Sequence, residues 1–437
     1  MVMRRVKSLT VDPFGHFIKQ ESSSSIIMLI AMASAMLLAN SPYGGWYHGL
    51  WETKIGFTFG SFSLYKDSLH WINDGLMALF FLVIGLEIKR EILIGELSDV
   101  RKALLPLIAA IGGAVVPALI YTAVNVSGGD MNGWGVPMAT DIAFAIGIMA
   151  LLGSRVPIQL KIFITSLAVV DDMIAVLVIA LFYSKGIAFG YLTYAGAALV
   201  ALALMNYSGV RSILAYLAVG VLLWYFFLKS GIHATIAGVL LALFIPSQPK
   251  IQLQVFLRSM THFLKQLGDC KNNPDTEIPT KCQKETLNKV MYTSQAVYNP
   301  MSRLEYNLHG LSAYFIMPLF AFANTGVTID STSFGGIVSP MGLGIIFGLL
   351  IGKPLGIFSF VKAAEKMKLV TLPKQLTNAS LTGVAVLSGI GLTMSIFIAS
   401  MAFSPEVVNS AKIAILSASV LAGIGGYVLL SRIKQAD

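Results

Sequence analysis

Residues 162–183 read IFITSLAVVDDMIAVLVIALFY, an apolar run of 22 residues interrupted by two adjacent acids, Asp171 and Asp172. About 20 apolar residues are enough to cross the hydrocarbon core of a bilayer as a helix. The run therefore predicts a membrane span. Placing one charge at the bilayer centre costs about 2.5–3.5 kcal/mol on insertion scales, so two acids here indicate a functional site.

The whole chain has the composition of a membrane protein. Of its 437 residues, 56% are hydrophobic and 12% are charged, and the mean hydropathy is +0.75. A soluble domain carries roughly 25% charged residues, so this chain cannot cover a globule of its size with polar surface. The balance excludes a cytosolic enzyme, a disordered protein and a disulfide-stapled secreted domain.

Apolar segments of span length recur along the chain. We predict twelve spans, at 25–41, 69–88, 103–125, 135–151, 162–183, 189–206, 212–228, 231–247, 306–327, 337–360, 377–403 and 413–431. If both termini share one side, 25 of the 31 lysine and arginine residues fall on it and five fall opposite, with Lys353 inside a span. Basic residues collect on cytoplasmic loops. The net charge of +9 therefore reflects membrane topology rather than nucleic-acid binding. We predict a single all-α membrane domain over 1–437 with both termini in the cytoplasm.

The start of the chain is basic, MVMRRVK, but a long polar or mixed stretch follows before the first apolar run. That stretch is longer than the n-region of a cleaved signal peptide. We expect the first span to be retained.

Two loops differ from simple connections. Residues 43–67, on the outer side, contain the alternating, glycine-punctuated KIGFTFGSFSLY, which predicts a β-hairpin, with an ordinary loop as the alternative. Residues 248–304 form a long cytoplasmic insertion whose stretch IQLQVFLRSMTHFLKQLG suits an amphipathic helix on the membrane surface. Cys270 and Cys282 fit no disulfide framework, and we expect free thiols in a reducing compartment.

Six charged residues lie inside the predicted spans: Asp74, Glu87, Asp141, Asp171, Asp172 and Lys353. Consecutive helical residues point about 100° apart, so Asp171 and Asp172 cannot act as one bidentate pair, and one of them can line a cavity while the other faces a neighbouring span. Two desolvated carboxylates this close raise each other's proton affinity. Such a group holds either a proton or a small hard cation, for which oxygen ligands are suited.

Two of the predicted spans are interrupted. Asp141 and Thr140 follow Gly135 and Pro137 in GVPMATDIAFAIG, and GVAVLSGIGLTMSIFI contains two glycines near its middle. Broken helices are tolerated in a membrane only where their free backbone groups line a cavity. Interrupted spans in comparable places indicate an inverted-repeat transporter with its site at the midplane. Lys353 either pairs with the midplane acids or balances the negative ends of the half-helices, with Asp141 at their positive ends.

The charged end of the second span admits two interpretations. Glu87, Arg90 and Glu91 are spaced to share a helix face, which suits either a solvated helix end or a cytoplasmic funnel that attracts cations and senses pH. His233 and His309 lie near span ends. Each is either a packed histidine or a pH-sensing one, because histidine titrates near neutrality.

Seven stretches together resemble the NhaA family of bacterial sodium/proton antiporters, and the resemblance runs from about residue 13 to 432. The stretches are WINDGLMALFFLVIGLEIKRE, MATDIAFAIGIMALLG, VVDDMIAVLVIALFY, KSGIHATIAG, PLFAFANTGV, GLLIGKPLGI and GIGLTMSIFIASMAF. It implies twelve transmembrane helices, two discontinuous helices crossing near the midplane, and a dimer bridged by an outer β-hairpin. It also implies a multi-pass protein of the bacterial inner membrane that is no enzyme and has no cofactor.

The same resemblance implies roles for single residues. Asp171 and Asp172 match the cation- and proton-binding carboxylates, Thr140 and Asp141 the broken-helix pair, and Lys353 the lysine that pairs with the first of the two aspartates. The residues matching the cytoplasmic funnel and pH response are Asp74, Glu87, Arg90, Glu91 and Glu305, to which we add His309 and His233. The 248–304 insertion is longer than usual for the family, and Tyr306 stands where we expect a histidine, so the pH profile is the property most open to difference.

The sequence thus predicts electrogenic, pH-regulated exchange of Na⁺ or Li⁺ for H⁺ by alternating access. Three other functions are alternatives to this prediction. A channel would conduct without counter-transport, and a different solute could be exchanged for protons. An intramembrane hydrolase is disfavoured because adjacent spans offer no nucleophile and base of the G-x-S-x-G kind.

Overall fold

The chain is mostly helical. A computed structural model describes residues 13–433 apart from 60–61, 185, 187, 271–277 and 331–334. We number its main helices α1 (Pro13–Ala39), α2 (Gly44–Glu52), α3 (Met77–Ile94), α4 (Val100–Asn125), α5 (Ile142–Leu151), α6 (Ile158–Phe182), α7 (Phe189–Tyr207), α8 (Ile213–Ser230), α9 (Ile236–Phe244), α10 (Leu253–Asp269), α11 (Lys281–Val297), α12 (Pro300–Leu311), α13 (Met317–Thr325), α14 (Pro340–Phe347), α15 (Lys353–Lys366), α16 (Asn378–Leu387), α17 (Leu392–Ala402) and α18 (Pro405–Ser431).

Many of these helices begin where a side chain can satisfy the first backbone N–H groups. The Asp99 carboxylate accepts from Arg101 N at the start of α4, and Thr377 accepts from Ser380 N at the start of α16. Asn299 caps α12, and its next residue, Pro300, needs no N–H partner. The helix boundaries therefore follow from local sequence as well as from apolar length.

Eight helical stretches in the described residues are long and apolar enough to span a bilayer, and the bent pair α16–α17 makes a possible ninth. The remaining predicted segments have physical reasons for failing this test. Segment 69–88 runs into the charged end of α3, 231–247 holds only the nine residues of α9, and 306–327 is divided between α12 and α13. Twelve spans therefore stays a prediction.

In the part of the chain that the structure describes, three π-helical turns each precede an α-helix. Trp71–Leu76 leads into α3, Ser312–Ile316 joins α12 to α13, and Gly348–Gly352 joins α14 to α15. A π-turn places one extra residue in a helical turn and is often found at functional sites. The last of the three ends immediately before Lys353.

The prediction of a β-hairpin in 43–67 is confirmed, and a short helix, α2, precedes it. Strand β1 (Lys54–Phe59) pairs antiparallel with β2 (Phe62–Asp67), from Lys54 opposite Asp67 to Phe59 opposite Phe62. No third strand joins this pair within the described residues. Each strand therefore leaves one edge without a β partner.

The 248–304 insertion forms an antiparallel pair of helices, α10 and α11. Our expectation of free thiols is wrong for this structure, because a disulfide joins Cys270 to Cys282. Cys270 follows the last residue of α10 and Cys282 lies in the first turn of α11. The antiparallel packing brings their Cα atoms to 5.9 Å, within the range for a disulfide, and a spacing in sequence does not reveal such packing.

Helices α4 and α15 approach each other closely and hold Lys353 between them and α6. A Cβ atom on Gly112 or on Gly356 would clash with the backbone of the other helix. Small residues at such crossings allow two helix backbones to come into contact. The close approach of α4 and α15 places the Cε atom of Lys353 beside Gly113 of α4.

Candidate functional site

The two adjacent acids of α6 have different surroundings. Asp171 is 3% exposed and accepts a hydrogen bond of 2.7 Å at Oδ2 from Lys353 Nζ, while Lys353 itself is 0% exposed. Asp172 is 4% exposed, and its buried Oδ1 accepts no hydrogen bond within the described part of the chain. One carboxylate is therefore neutralised by a buried ammonium, and the other is left available to a small ligand.

Lys353 also donates a hydrogen bond to the backbone carbonyl of Met138. Met138 is the last residue of a 3₁₀ helix, Met131–Met138, and three residues separate this helix from the start of α5. The lysine thus lies against the negative end of one half-helix while pairing with Asp171. Both of the alternatives that the sequence left open for Lys353 are present in one geometry.

Asp141 binds the positive ends of two helices. Its Oδ1 accepts from Phe144 N at the start of α5 (3.4 Å), and its Oδ2 accepts from both the backbone N–H (3.1 Å) and the hydroxyl of Thr393 at the start of α17. The first N–H groups of a helix lack partners within it and carry partial positive charge. A carboxylate shared by two such ends offsets both.

The two chain breaks also bond to each other through their backbones. Thr140 donates its hydroxyl to the carbonyl of Ser388 (3.0 Å), and Asp141 N donates to the carbonyl of Ile390 (2.7 Å). Helix α16 ends at Leu387 and α17 begins at Leu392, with a bend of 48° between them. The polar groups released by one break are therefore satisfied by the other.

A cavity of about 80 Å³ lies beside Asp141 and Asp172. Its charged and histidine lining residues are Glu87, Arg90, Asp141, Asp172 and His309, and Thr140 and Thr393 also line it. A water needs roughly 10–15 Å³ measured in this way, so several waters or a partly hydrated small cation fit. No cluster of three or more His, Cys, Asp or Glu side chains in the described residues is arranged to hold a resident metal ion.

A second cluster of charges lies between α3 and α12, where Glu87, Arg90 and His309 also line the cavity; we call it the Arg90–Glu305 cluster. Arg90 pairs with Glu305 and, at 3.0 Å, with Glu91, while His309 Nε2 lies 3.8 Å from Glu87 Oε1. Burial raises the pKa of Glu305, and the nearby charges of Arg90 and His309 oppose this rise. The Glu305 side chain is only 8% exposed, whereas that of Arg90 is 35% exposed. This arrangement differs from a fully solvated helix end.

Two residues that we grouped with the funnel lie elsewhere. Asp74 is half-buried in the π-turn before α3 and lines a small pocket with Leu64 and Lys66 of β2. Thirteen residues of helix separate it from Glu87, about 20 Å at 1.5 Å per residue. The His233 ring packs edge-on against Phe397 of α17. Tyr306, at the position where we expect a histidine, is 72% exposed.

Sequence reasoning missed several groups that complete the site. Thr393 binds Asp141, and its place directly after the glycines of GIGLT is a usable signal. The carbonyls of Met138, Ser388 and Ile390 have no side-chain signal. Lys89 does not line this cavity: it donates to the carbonyls of Leu243 and Ile245 at the end of α9, and its burial lowers its pKa to about 8.

Comparison with known proteins identifies the family. The family model described as Na⁺/H⁺ antiporter 1 matches residues 15–430. The chain is 46% identical over 434 residues to the Na(+)/H(+) antiporter NhaA of Helicobacter pylori, covering 98% of each chain. It is 45% identical over 419 residues to that of Oleidesulfovibrio alaskensis, covering 96% of this chain and 93% of the relative. These relatives are transporters and not enzymes. The chain belongs to the NhaA family of Na⁺/H⁺ antiporters.

Proposed function

We propose that this chain exports Na⁺ or Li⁺ in exchange for protons by alternating access, with Asp171 and Asp172 at the site. The observation that carries the proposal is the asymmetry of this pair. Asp171 is neutralised by Lys353, whereas Asp172 lines the cavity of about 80 Å³ and its Oδ1 accepts no hydrogen bond from the described residues. A bare buried carboxylate is strongly penalised. It needs either a cation or a proton, and the two compete.

This competition couples the two fluxes. Facing one side, the carboxylates bind Na⁺ with help from the Thr140 hydroxyl and the backbone carbonyls of the breaks. Facing the other, protons displace the cation. The switch between the two faces is favoured when the site is occupied and disfavoured when its charge is bare and desolvated. Protons moving inward then drive sodium outward.

Exchange of two protons for one cation makes the cycle electrogenic. Two sets of groups can supply the second proton: the two aspartates, or one aspartate and Lys353. The ion pair at 2.7 Å supports a lysine that is released from Asp171 when Na⁺ binds there. When two ionisable groups interact strongly, their apparent pKa values describe the pair and are not assigned to one residue.

The proposed membrane arrangement has twelve spans, both termini in the cytoplasm of a bacterium and the transporter in its inner membrane. The split of basic residues, 25 against five, supports it. The two interrupted segments are proposed to cross near the midplane, supported by the hydrogen bonds between Thr140, Asp141 and the α16–α17 break.

Two further properties belong to this proposal. The Glu87–His309 and Arg90–Glu305 contacts support a cytoplasmic funnel that adjusts transport to pH. The two edges of the β-hairpin, which have no β partner among the described residues, support a homodimer in which hairpins of two chains meet. Crosslinking between hairpins of two copies in the membrane tests the dimer.

The main test is Na⁺-dependent dissipation of a pH gradient in vesicles containing the purified protein. We expect Asp171→Asn and Asp172→Asn each to abolish it. Asp269→Asn, an exposed acid at the end of α10, is the matched control and should keep full activity. Full activity in either site variant would refute the assignment.

The same vesicles separate the rival functions. A series of Na⁺, Li⁺ and K⁺ identifies the transported cation, and no response to any of them would favour another solute. A current whose reversal potential ignores the pH difference would indicate a channel. A reversal potential that moves with both the Na⁺ and the pH gradient is the result expected for electrogenic antiport.

A further inference from the structure

The helix α10 has an exposed apolar strip that nothing in the described structure covers. Leu253, Leu257 and Leu264 are 60%, 56% and 62% exposed. At 100° per residue they lie within about 40° of one another around the helix. Phe256 and Phe263, half-buried, occupy the adjacent side. The apolar surface of α10 is therefore wider than its contact with α11.

The partner helix adds to the same surface. On α11, Thr286 and Thr293 are buried and mark the side that packs on α10, while Leu287 and Met291 are 39% and 59% exposed. When each helix is viewed from its own N-terminus, its exposed apolar residues lie clockwise from the side that packs on the other helix. Because the helices are antiparallel, both apolar strips fall on one face of the pair. We call Leu253, Leu257, Leu264, Leu287 and Met291 the hairpin face.

The open end of this pair is tied to the membrane-embedded part of the chain. Lys250 N donates to the carbonyl of Ala296 (2.9 Å), and Met301 N donates to that of Pro246 (3.1 Å). The chain leaves α9 just before this point and enters α12 just after it. From there α10 extends about 25 Å, at 1.5 Å per residue, and the disulfide closes the far end.

The charge around the hairpin face suits an anionic surface. Together α10 and α11 carry five basic residues (Arg258, Lys265, Lys281, Lys284 and Lys289) against two acids, Asp269 and Glu285. At the tied end, Arg211, Lys250 and Arg303 line a cavity of about 670 Å³ that has no acidic residue among those lining it in the described chain. Apolar strips flanked by lysine and arginine bind headgroups of anionic lipids, with the apolar side inserted at the acyl boundary.

We propose that the hairpin face binds the anionic cytoplasmic leaflet of the membrane. The disulfide between Cys270 and Cys282 holds the two apolar strips on one side for this contact. The proposal uses the cytoplasmic placement of 248–304 from the proposed topology, but its test measures no transport. It can therefore fail while the antiport function holds.

The test places a genetically encoded fluorescent amino acid at Leu257, Leu264 or Val255, one at a time, in the full-length protein with both cysteines kept. Val255 is the matched control, since it is apolar, 50% exposed and on the opposite side of α10. In vesicles of phosphatidylglycerol and phosphatidylcholine, nitroxide-labelled lipids should quench the two leucine positions at least about threefold more than the control. Equal quenching at all three positions would overturn the proposal.

Charge substitutions separate lipid from protein as the occupant. With the fluorophore at Leu253, the double variant Leu257→Glu and Leu264→Glu should reduce lipid quenching, and Val255→Glu should leave it unchanged. Detection of the intact disulfide by mass spectrometry shows that the variants keep the hairpin. Shielding that depends on the protein-to-lipid ratio and not on labelled lipid would show contact with a second copy and overturn the proposal.

Discussion

The buried cluster of Asp141, Asp171, Asp172 and Lys353 and the Arg90–Glu305 cluster both hold opposite charges together, but they differ in their access to water. In the first, no residue is more than 4% exposed. In the second, Arg90 remains 35% exposed at its side chain. A charge that water cannot reach depends entirely on its protein partners, whereas one near the surface is partly compensated by water and salt.

This difference predicts a division of labour. The buried cluster should determine whether the protein is stable and whether it transports, and salt should affect it little. The Arg90–Glu305 cluster should adjust activity with pH and contribute little to stability. Substitutions in the two clusters and in the α10–α11 pair, ordered from the largest expected effect to the smallest, test this difference.

Lys353→Ala should lower the free energy of unfolding by about 3–5 kcal/mol, because it leaves the Asp171 carboxylate buried without its partner. The double variant Lys353→Ala with Asp171→Asn should recover much of this loss, since the unpaired charge is gone. Thermal unfolding in detergent measures both. The control is Lys362→Ala, which breaks an ion pair of similar length whose side chains are 29% and 41% exposed, and an exposed pair contributes at most about 1 kcal/mol. A double variant no more stable than Lys353→Ala would contradict the pairing.

Thr393→Val should cost about 1–3 kcal/mol, because it removes one of the donors to the buried Asp141 carboxylate. It should also weaken the apparent Na⁺ affinity of exchange in vesicles, since the two breaks are less firmly joined. Thr382→Val is the control, because its exposed hydroxyl bonds only within its own helix, to the carbonyl of Asn378. Equal losses in both variants would show that the Asp141 contact has no special weight.

Arg90→Gln should move the pH profile of antiport toward alkaline pH. Burial raises the pKa of Glu305 and the Arg90 charge opposes that rise, so removing the charge raises this pKa further and delays ionisation to higher pH. The loss of stability at pH 7 should be only about 1 kcal/mol, because Arg90 is partly solvated. Initial rates across a pH series measure the shift.

Glu305→Gln provides the internal check on that result. In its background, Arg90→Gln should no longer move the profile, because the titrating group is absent. A shift that persists would assign the pH response to another group, of which Glu87 and His309 are the nearest in the same cavity.

The smallest effect on transport is expected for the distal end of the α10–α11 pair. Replacing Cys270 and Cys282 by serine should leave the Na⁺-saturated rate within about twofold, because this cross-link closes a short loop and stabilises that loop locally. Limited proteolysis between α10 and α11 should nevertheless become faster. A large loss of transport would show that the hairpin and the buried cluster are coupled.

Most of the buried cluster could be predicted from the sequence, because placing a charged residue inside a membrane span costs free energy. A charge inside an apolar run is visible in sequence, so Asp141, Asp171, Asp172 and Lys353 were all identified before the fold. Their partners were harder to find. Backbone carbonyls such as Met138 O have no letter of their own, and the binding of Asp141 to the start of α17 brings together residues 252 positions apart.

The Arg90–Glu305 cluster is predictable only in part, because spacing along a helix gives a shared face and not a position along the helix axis. The spacing groups Glu87, Arg90 and Glu91, whereas Asp74, which only the resemblance adds to this group, lies near the β-hairpin. The disulfide was missed for a similar reason. Cys270 and Cys282 meet through the antiparallel packing of two helices, which the composition of the loop does not encode.

The π-turn before Lys353 has a consequence for the phase of everything beyond it. Gly348–Gly352 accommodates one residue more than an α-helical turn. Because the turn absorbs that residue, deleting a single glycine there would let the helix run on regularly and leave α14 and α15 at nearly the same rotation, with Lys353 still facing Asp171. Deleting one residue from the regular part of α14 would instead rotate α14 by about 100° relative to α15, so that the two helices could no longer both keep their present faces against α4. A hydropathy profile would hardly distinguish the two deletions, because the apolar length of the segment is almost the same in both.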